Sequence, residues 1–301
     1  AGTVKAVDKV SFRMDKGETL GLVGESGCGK STLGFSILKL IPPPGRIVGG
    51  KIIFEGSDLT AKKECEMREI RGKLISVIFQ DPMTSLNPLM KIGDHLTETI
   101  TTHVKITKEE AVEKAKVLLS NLGILPERIN DYPHQFSGGM RQRVVIGLAL
   151  ALDPDIVIAD EPTTSLDVIV EAQILELLKK MKKAYNLTLI LITHNIGIVA
   201  ETADHIAVMY AGKIVELSDA LSLFDKPLHP YTKALLESIP NIKLSEQVLE
   251  SIPGMPPDLL LPPKGCRFNP RCPHSSKKCF EIEPELVKVG KDRFVACHLQ
   301  R

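Results

Sequence analysis

Gly24-Glu25-Ser26-Gly27-Cys28-Gly29-Lys30-Ser31 decides the fold of this 301-residue chain. The octapeptide fits the pattern G-x-x-x-x-G-K-[ST] of a phosphate-binding loop. Chance would produce it in a chain this long on the order of one time in a hundred. Its surroundings agree. Thr19-Leu20-Gly21-Leu22-Val23 predicts a buried strand, and Ser31 to Leu40 predicts the start of a helix. Glycines let such a loop curl until successive backbone N–H groups converge on phosphate oxygens. Lys30 adds positive charge at the β- and γ-phosphates, Ser31 offers a hydroxyl ligand for Mg2+, and the helix N-terminus favours the anion.

A second stretch, Phe136-Ser137-Gly138-Gly139-Met140-Arg141-Gln142-Arg143, reads as another anion-binding helix start. Ser137 can serve as N-cap, Gly138 and Gly139 permit close backbone approach, and Val144, Val145, Leu148, Ala149 and Leu152 follow at helical spacing. Asp153-Pro154 then ends the helix. Standing alone, this would be an ordinary capped helix. One nucleotide needs only one cradle, however, so a second implies a site shared by two chains.

Together the two stretches resemble those of the ATP-binding cassette (ABC) ATPases, whose LSGGQ-type motif closes over ATP held by a partner subunit. Phe136 stands where leucine is usual and Met140 where glutamine is usual, and both departures keep the Ser-Gly-Gly centre. The resemblance implies an α/β fold: a P-loop NTPase with a mixed β core, an inserted helical subdomain and an irregular C-terminal extension. It places ATP and Mg2+ at Gly24 to Thr32 of this chain, and it places Ser137, Gly138, Gly139 and Met140 in the partner's site.

The remaining expected parts appear in order. Ile156-Val157-Ile158-Ala159-Asp160-Glu161 is an apolar strand ending in two carboxylates. Asp160 suits a role holding Mg2+ through water. Glu161 projects where ligands bind in open α/β sheets and could deprotonate or orient the attacking water. Alone, the pair would read equally well as a solvated turn with an N-cap. Gln80 follows the strand Leu74 to Phe79, and the resemblance implies contacts with Mg2+ and the attacking water. His194, after Thr188 to Thr193, matches the family's switch histidine at the γ-phosphate, although a single histidine after a strand is ordinarily just a polar loop residue. Ser165-Leu166-Asp167 resembles the segment along the dimer seam, with Asp167 against the opposite phosphate loop. These matches span Val4 to Leu217.

Composition narrows the classes. The formal net charge is +1, with basic residues dispersed, so nothing indicates a nucleic-acid or lipid surface. Apolar runs such as Leu187 to Ile192 fall far short of the roughly 20 residues a membrane span needs, and no secretory signal is visible. Any membrane part would come from other subunits. The resemblance also implies an aromatic that stacks on adenine. Phe12 is a candidate by chemistry, although alternation in Val10-Ser11-Phe12 fits a core strand better; the stacking residue would then lie upstream.

Strands are expected at Val4 to Phe12, Thr19 to Val23, Lys51 to Glu55, Leu74 to Phe79, Ile156 to Asp160, Thr188 to Thr193, Ile206 to Tyr210 and Lys213 to Leu217. Ala211-Gly212 reads as a hairpin turn. Thr107-Lys108-Glu109-Glu110 is a capping box opening a helix to about Leu122. The expected organisation is an ATP-binding core at 1–81 and 153–220, a helical subdomain at 82–152 facing the membrane subunits, and a C-terminal extension at 221–301.

The extension holds a helical stretch around Leu228 to Ser238. A proline-rich run follows, through Pro240, Pro253, Pro256, Pro257, Pro262 and Pro263, and it predicts an extended wrap rather than a further core. His229-Pro230-Tyr231-Thr232 and Gly265-Cys266-Arg267-Phe268-Asn269-Pro270-Arg271-Cys272-Pro273 resemble the C-terminal region of ATPases serving dipeptide and oligopeptide importers, a branch that includes nickel importers. Only this resemblance narrows the cargo to peptides. Of six cysteines, Cys266, Cys272, Cys279 and Cys297 crowd into the extension. In a reducing compartment, clustered thiolates indicate a metal. A [4Fe–4S] cluster tolerates their irregular spacing better than Zn2+ does. His274 and His298 are substitute ligands, and free thiols remain the alternative.

The implied mechanism is ATP-driven closure of a dimer of two cassettes. The expected partners are a second ABC ATPase subunit, in a heterodimer in the cell, two membrane permease subunits and, indirectly, an extracellular peptide-binding protein. The expected location is the cytoplasmic face of the membrane. A soluble ABC ATPase without a transport role would share the cassette, and a non-hydrolysing switch built on the cysteines would not need Glu161 and His194.

Overall fold

A computed structural model describes residues 2–164, 166–238 and 252–300. Ser165 and Pro240, both named in the expectations above, lie outside the described residues. The chain divides into two compact units. One takes Ala1–Met14, Glu18–Ser36 and Leu191–Arg301; the other takes Asp15–Gly17 and Ile37–Ile190.

In the first unit, Thr19–Val23 is buried at every position, as a run of apolar residues flanked by polar ones demands. It pairs in parallel with His205–Tyr210, placing Leu20 opposite His205 and Val23 opposite Val208. The next strand, Lys213–Asp219, returns antiparallel. The expected turn joins them: Ala211 and Gly212 have φ of 46° and 82°, the two positive values a tight twisted hairpin requires. Arg293–Val295 continues the sheet beside Lys213–Asp219, and Val287–Gly290 pairs with it in turn. One face is covered by a core of Val23, Val199, Ile206, Val208, Tyr210, Leu223, Tyr231 and Phe268. Within that core the rings of Tyr210 and Tyr231 lie 4.6 Å apart, and those of Tyr210 and Phe268 lie 5.2 Å apart.

In the second unit, Ile75–Ile78 pairs in parallel with Ile156–Asp160, so both strands run out at the same edge. Helices Ile92–His103, Lys108–Asn121, Gly138–Leu150 and Val168–Tyr185 make up most of the rest. The capping box is present. Glu110 N donates to Thr107 Oγ1 at 3.2 Å, and Thr107 N donates to Glu110 Oε2 at 2.8 Å. Asn186, in the left-handed region at φ 50°, ends the longest helix. No described helix is long and apolar enough to cross a membrane.

Three expectations need correction. Residues 4–12 carry no strand. Lys9 sits at φ 53°, which interrupts an extended run, and Asp8 N donates to Gly212 O at 2.8 Å. The strand at 51–55 shrinks to Ile53–Phe54, turned back through Gly56 at φ 78° onto Ser57–Asp58. The C-terminal segment is less irregular than composition implied. Phe268 and Val295 are fully buried, and two strands there join the sheet.

Candidate nucleotide site

The phosphate loop lies in the first unit with its shape already formed. Gly24, Gly27 and Gly29 have φ of 152°, 76° and 102°, a region that side chains disfavour. A Cβ on Gly24 would stand 2.1 Å from Met209 O, and one on Gly29 would stand 2.1 Å from Ala6 O. The loop therefore rests on backbone at two points, and only glycine fits. Lys30 is buried, and its Nζ donates to Gly24 O at 2.8 Å and to Glu25 O at 3.0 Å. A buried ammonium in water-poor surroundings needs such acceptors, and the loop's own carbonyls supply them. Ser26 and Gly27 form the exposed tip, while Ser31 and Thr32 open the helix Lys30–Ile37. Burial pushes the Cys28 thiol up against the pull of the Lys30 charge, so it stays neutral inside the loop. His194 follows the buried strand Thr188–Thr193 and is exposed.

The second unit brings the catalytic candidates together in part. Asp160 is buried at the end of its strand. Glu161, one residue on, is held at φ 46°, a strained conformation for a residue with a side chain. Its Oε2 accepts from Gln80 Nε2 at 2.9 Å and from Thr164 Oγ1 at 2.8 Å. An oxygen donor such as the Asp160 carboxylate suits a hard cation like Mg2+.

Ser137 caps the helix Gly138–Leu150, its side chain accepting from Met140 N at 3.3 Å. A Cβ on Gly139 would meet Val170 Cγ1 at 2.5 Å, which explains the small residue there. Asp167 is itself an N-cap, its Oδ1 accepting from Val170 N at 2.9 Å. One residue that sequence reasoning missed explains both motif departures. The Arg128 guanidinium lies 4.2 Å from the Phe136 ring centroid, and its Nη1 donates to Met140 Sδ at 3.4 Å. Asp131 Oδ2 holds Arg128 from the other side at 2.8 Å. A lone arginine in the short 3-10 helix Pro126–Asn130 carries no motif that would have flagged it.

The cysteine expectation is overturned. Cys266, Cys272, Cys279 and Cys297 do line one small cavity with His274 and His298. Yet among the described residues no group of three or more His, Cys, Asp or Glu side chains could hold a metal ion. They therefore do not constitute an iron–sulfur or zinc site; all six cysteines are free thiols. The physical reason is burial. It pushes Cys266 up to about 12 and raises Cys272 and Cys297 as well, whereas the metal ligand is the thiolate. His298 Nε2 is committed 2.9 Å from Ile282 O. The segment is held by contacts of its own. Phe268 packs with Tyr210 and Tyr231, Arg267 pairs with Asp8, and Asn269 Nδ2 donates to Cys279 O at 3.1 Å.

Comparison with known proteins agrees with this geometry. A family model described as ABC transporter matches residues 7–164, and one described as the C-terminal region of oligopeptide/dipeptide transporters matches residues 215–279. The oligopeptide transport ATP-binding protein OppD of Bacillus subtilis is 53% identical over 298 residues, covering 98% of this chain and 83% of that protein. The dipeptide transport ATP-binding protein DppD of the same organism is 50% identical, covering 99% and 90%. DppD of Escherichia coli is 45% identical, covering 98% and 90%. Among solved structures, the ATP-binding cassette MJ0796 bound to ADP and Pi in a dimeric post-hydrolysis state superimposes with a TM-score of 0.64 at 28% identity, over 71% of this chain and 90% of that one. The cbiO1 cassette from Clostridium perfringens gives 0.64 at 26% identity, over 73% and 84%. The chain belongs to the ABC transporter family of P-loop ATPases, in its oligopeptide/dipeptide branch.

Proposed function

We propose that this chain is the ATP-hydrolysing subunit that powers import of di- and oligopeptides through a membrane ABC transporter. The names of its relatives support the cargo. The observation that carries the enzymatic part is the phosphate loop itself: a cradle that only glycines fit, with a buried lysine turned into it.

On this reading, phosphates take Lys30 Nζ from the carbonyls of Gly24 and Glu25, exchanging neutral acceptors for anionic ones. Ser31, Gln80 and Asp160 would hold Mg2+, whose charge would offset that of the phosphates. Glu161 orients water and accepts its proton, while Gln80, bonded to it in the resting state, sets where that carboxylate stands. His194 contacts the γ-phosphate. Ser137, Gly138, Gly139 and Met140 complete the site of a second ABC ATPase subunit, with Asp167 at the seam.

That pair of cassettes, a heterodimer in the cell, drives two permease subunits from the cytoplasmic face of the membrane, supplied by an extracellular peptide-binding protein. The proposed division of labour keeps the ATP-binding core at 1–81 and 153–220, the helical coupling block at 82–152 and the extension at 221–301. Purification of the tagged chain from its own membranes tests this. Permease subunits should accompany it, and ATP turnover in the complex should rise when peptide-loaded binding protein is added. Membranes that yield the chain without permease subunits, or a complex whose turnover ignores peptide-loaded binding protein, would refute the transport role.

A further inference from the structure

The phosphate loop is gripped by residues more than 200 positions away in sequence, and the grip falls on one residue, Glu25. Its backbone N–H donates to Tyr231 Oη at 2.9 Å. Its carboxylate accepts two bonds from Arg271, Nη1 to Oε2 at 2.8 Å and Nη2 to Oε1 at 3.0 Å. Its carbonyl accepts from Lys30. We infer that Arg271 and Tyr231 are positioning residues for the ATPase reaction: they hold the phosphate loop in its nucleotide-receiving shape through Glu25. The inference rests on the ATPase reading above.

The geometry at Arg271 is that of a residue built into place. A guanidinium has five N–H groups. Nε donates to Pro253 O at 2.9 Å, Nη1 to Glu25 and to Tyr210 Oη at 3.3 Å, and Nη2 to Glu25 and to Ile252 O at 3.2 Å. All five therefore have an acceptor, and the side chain is only 5% exposed. Lysine has three donors on one atom and cannot reproduce this fork. Tyr231 is fixed just as firmly. It is fully buried in the aromatic cluster, and its own N–H donates to His229 Nδ1 at 3.0 Å.

Two consequences make the grip functional rather than merely cohesive. First, Lys30 must leave the Glu25 carbonyl to reach phosphate; Cys28 N–H, at 3.3 Å from that carbonyl within the loop, and Arg271 and Tyr231 from outside it, still hold Glu25. Second, Glu25 is an anion within a loop that receives a polyanion, and the Arg271 charge offsets that repulsion. Losing either anchor should let the loop sample shapes that do not accept nucleotide, which lowers affinity by the fraction of competent loop. Chemistry in the loaded site should change little.

The test measures nucleotide affinity with trinitrophenyl-ATP, together with kcat, KM and Tm, on the full chain. Arg271→Gln should raise Kd and KM about tenfold, with kcat within about twofold. Arg271→Lys should fall between it and wild type. Adding Glu25→Gln to Arg271→Gln should cost nothing further, because the unpaired carboxylate is gone. Tyr231→Phe removes only the acceptor of Glu25 N–H and should raise Kd about threefold; it decides the matter if Arg271→Gln does not fold. Arg293→Gln, which leaves buried Glu216 without a charge partner far along the same segment, should lower Tm and leave Kd unchanged. Wild-type Kd and KM in Tyr231→Phe, or in a folded Arg271→Gln, would overturn the inference, as would an equal rise in Arg293→Gln. Wild-type protein that binds no nucleotide would refute the ATPase reading instead.

Discussion

Gln80 Nε2 and Glu161 Oε2 lie 2.9 Å apart, joined by a hydrogen bond between residues that follow two parallel neighbouring strands. Both strands end at one edge, so residues just past their ends meet there. Thr164 Oγ1 adds a second donor at 2.8 Å, leaving Glu161 Oε1 as the oxygen not taken up by these two bonds.

On the proposed role of that carboxylate in taking a proton from water, Glu161→Gln should keep nucleotide affinity and slow hydrolysis by about 10²-fold or more. It should also accumulate an ATP-bound dimer, visible by size-exclusion chromatography. Undiminished turnover would remove Glu161 from the catalytic role.

Lys30→Ala acts on a different step. The ammonium is the buried cation of the loop, and its loss should weaken ATP binding about tenfold or more. A calorimetric titration with wild-type affinity would contradict that.

Ser137→Ala tests the proposed sharing of one site between two chains. Losing the cap bond to Met140 N should cost about 1 kcal/mol of local helix stability. ATP affinity of the isolated chain should stay unchanged, while turnover of the assembled dimer falls. Equal loss in both measurements would show that the motif serves its own chain's nucleotide.

His229 gives the fold a pH dependence of known sign. It is fully buried, and burial lowers its pKa from 6.5 to about 3. Between those values the unfolded chain binds a proton that the folded chain does not. The folded state is therefore unpenalised above 6.5 and loses stability as pH falls toward 3. From pH 7 to pH 5 this one group should remove about 2 kcal/mol. Urea denaturation at both values should show it, and His229→Asn should flatten the difference. An equally steep decline in that variant would assign the effect elsewhere.

Much of the site was legible because its chemistry is local. Gly24 to Ser31 and Ser137 to Met140 need particular backbone conformations within a few residues, and such needs leave a pattern. The Thr107 box and the Ala211-Gly212 turn were legible for the same reason. What escaped was long-range. Strands Val287–Gly290 and Arg293–Val295 are short and carry Lys288, Lys291 and Arg293 in or beside them, so no run of apolar residues marks them. Residues 4–12 alternate like a strand, yet Asp8 is claimed by Arg267 and Lys213 and the chain turns at Lys9. Cysteine spacing suggested a metal because spacing says nothing of burial, and burial raises the thiols of Cys266, Cys272 and Cys297. The contacts of Arg128 and Arg271 could not be read from sequence, although Arg271 lies in a stretch quoted there, since only the fold brings their partners near.

The separations in that grip have a bearing on how the protein is made. Arg271 is 246 positions from Glu25, and Arg267 is 259 from Asp8. A ribosome finishes the phosphate loop long before it reaches the residues that brace it. A nascent chain stalled at residue 238 would carry every glycine of the loop and the Tyr231 anchor, but not Arg271. Contacts this distant also close late in folding, because the intervening chain must be ordered first. Newly made protein should therefore reach its full affinity for ATP only after synthesis has passed Arg271, and bind about tenfold more weakly before that. Nucleotide binding by ribosome-bound chains of increasing length would show the step.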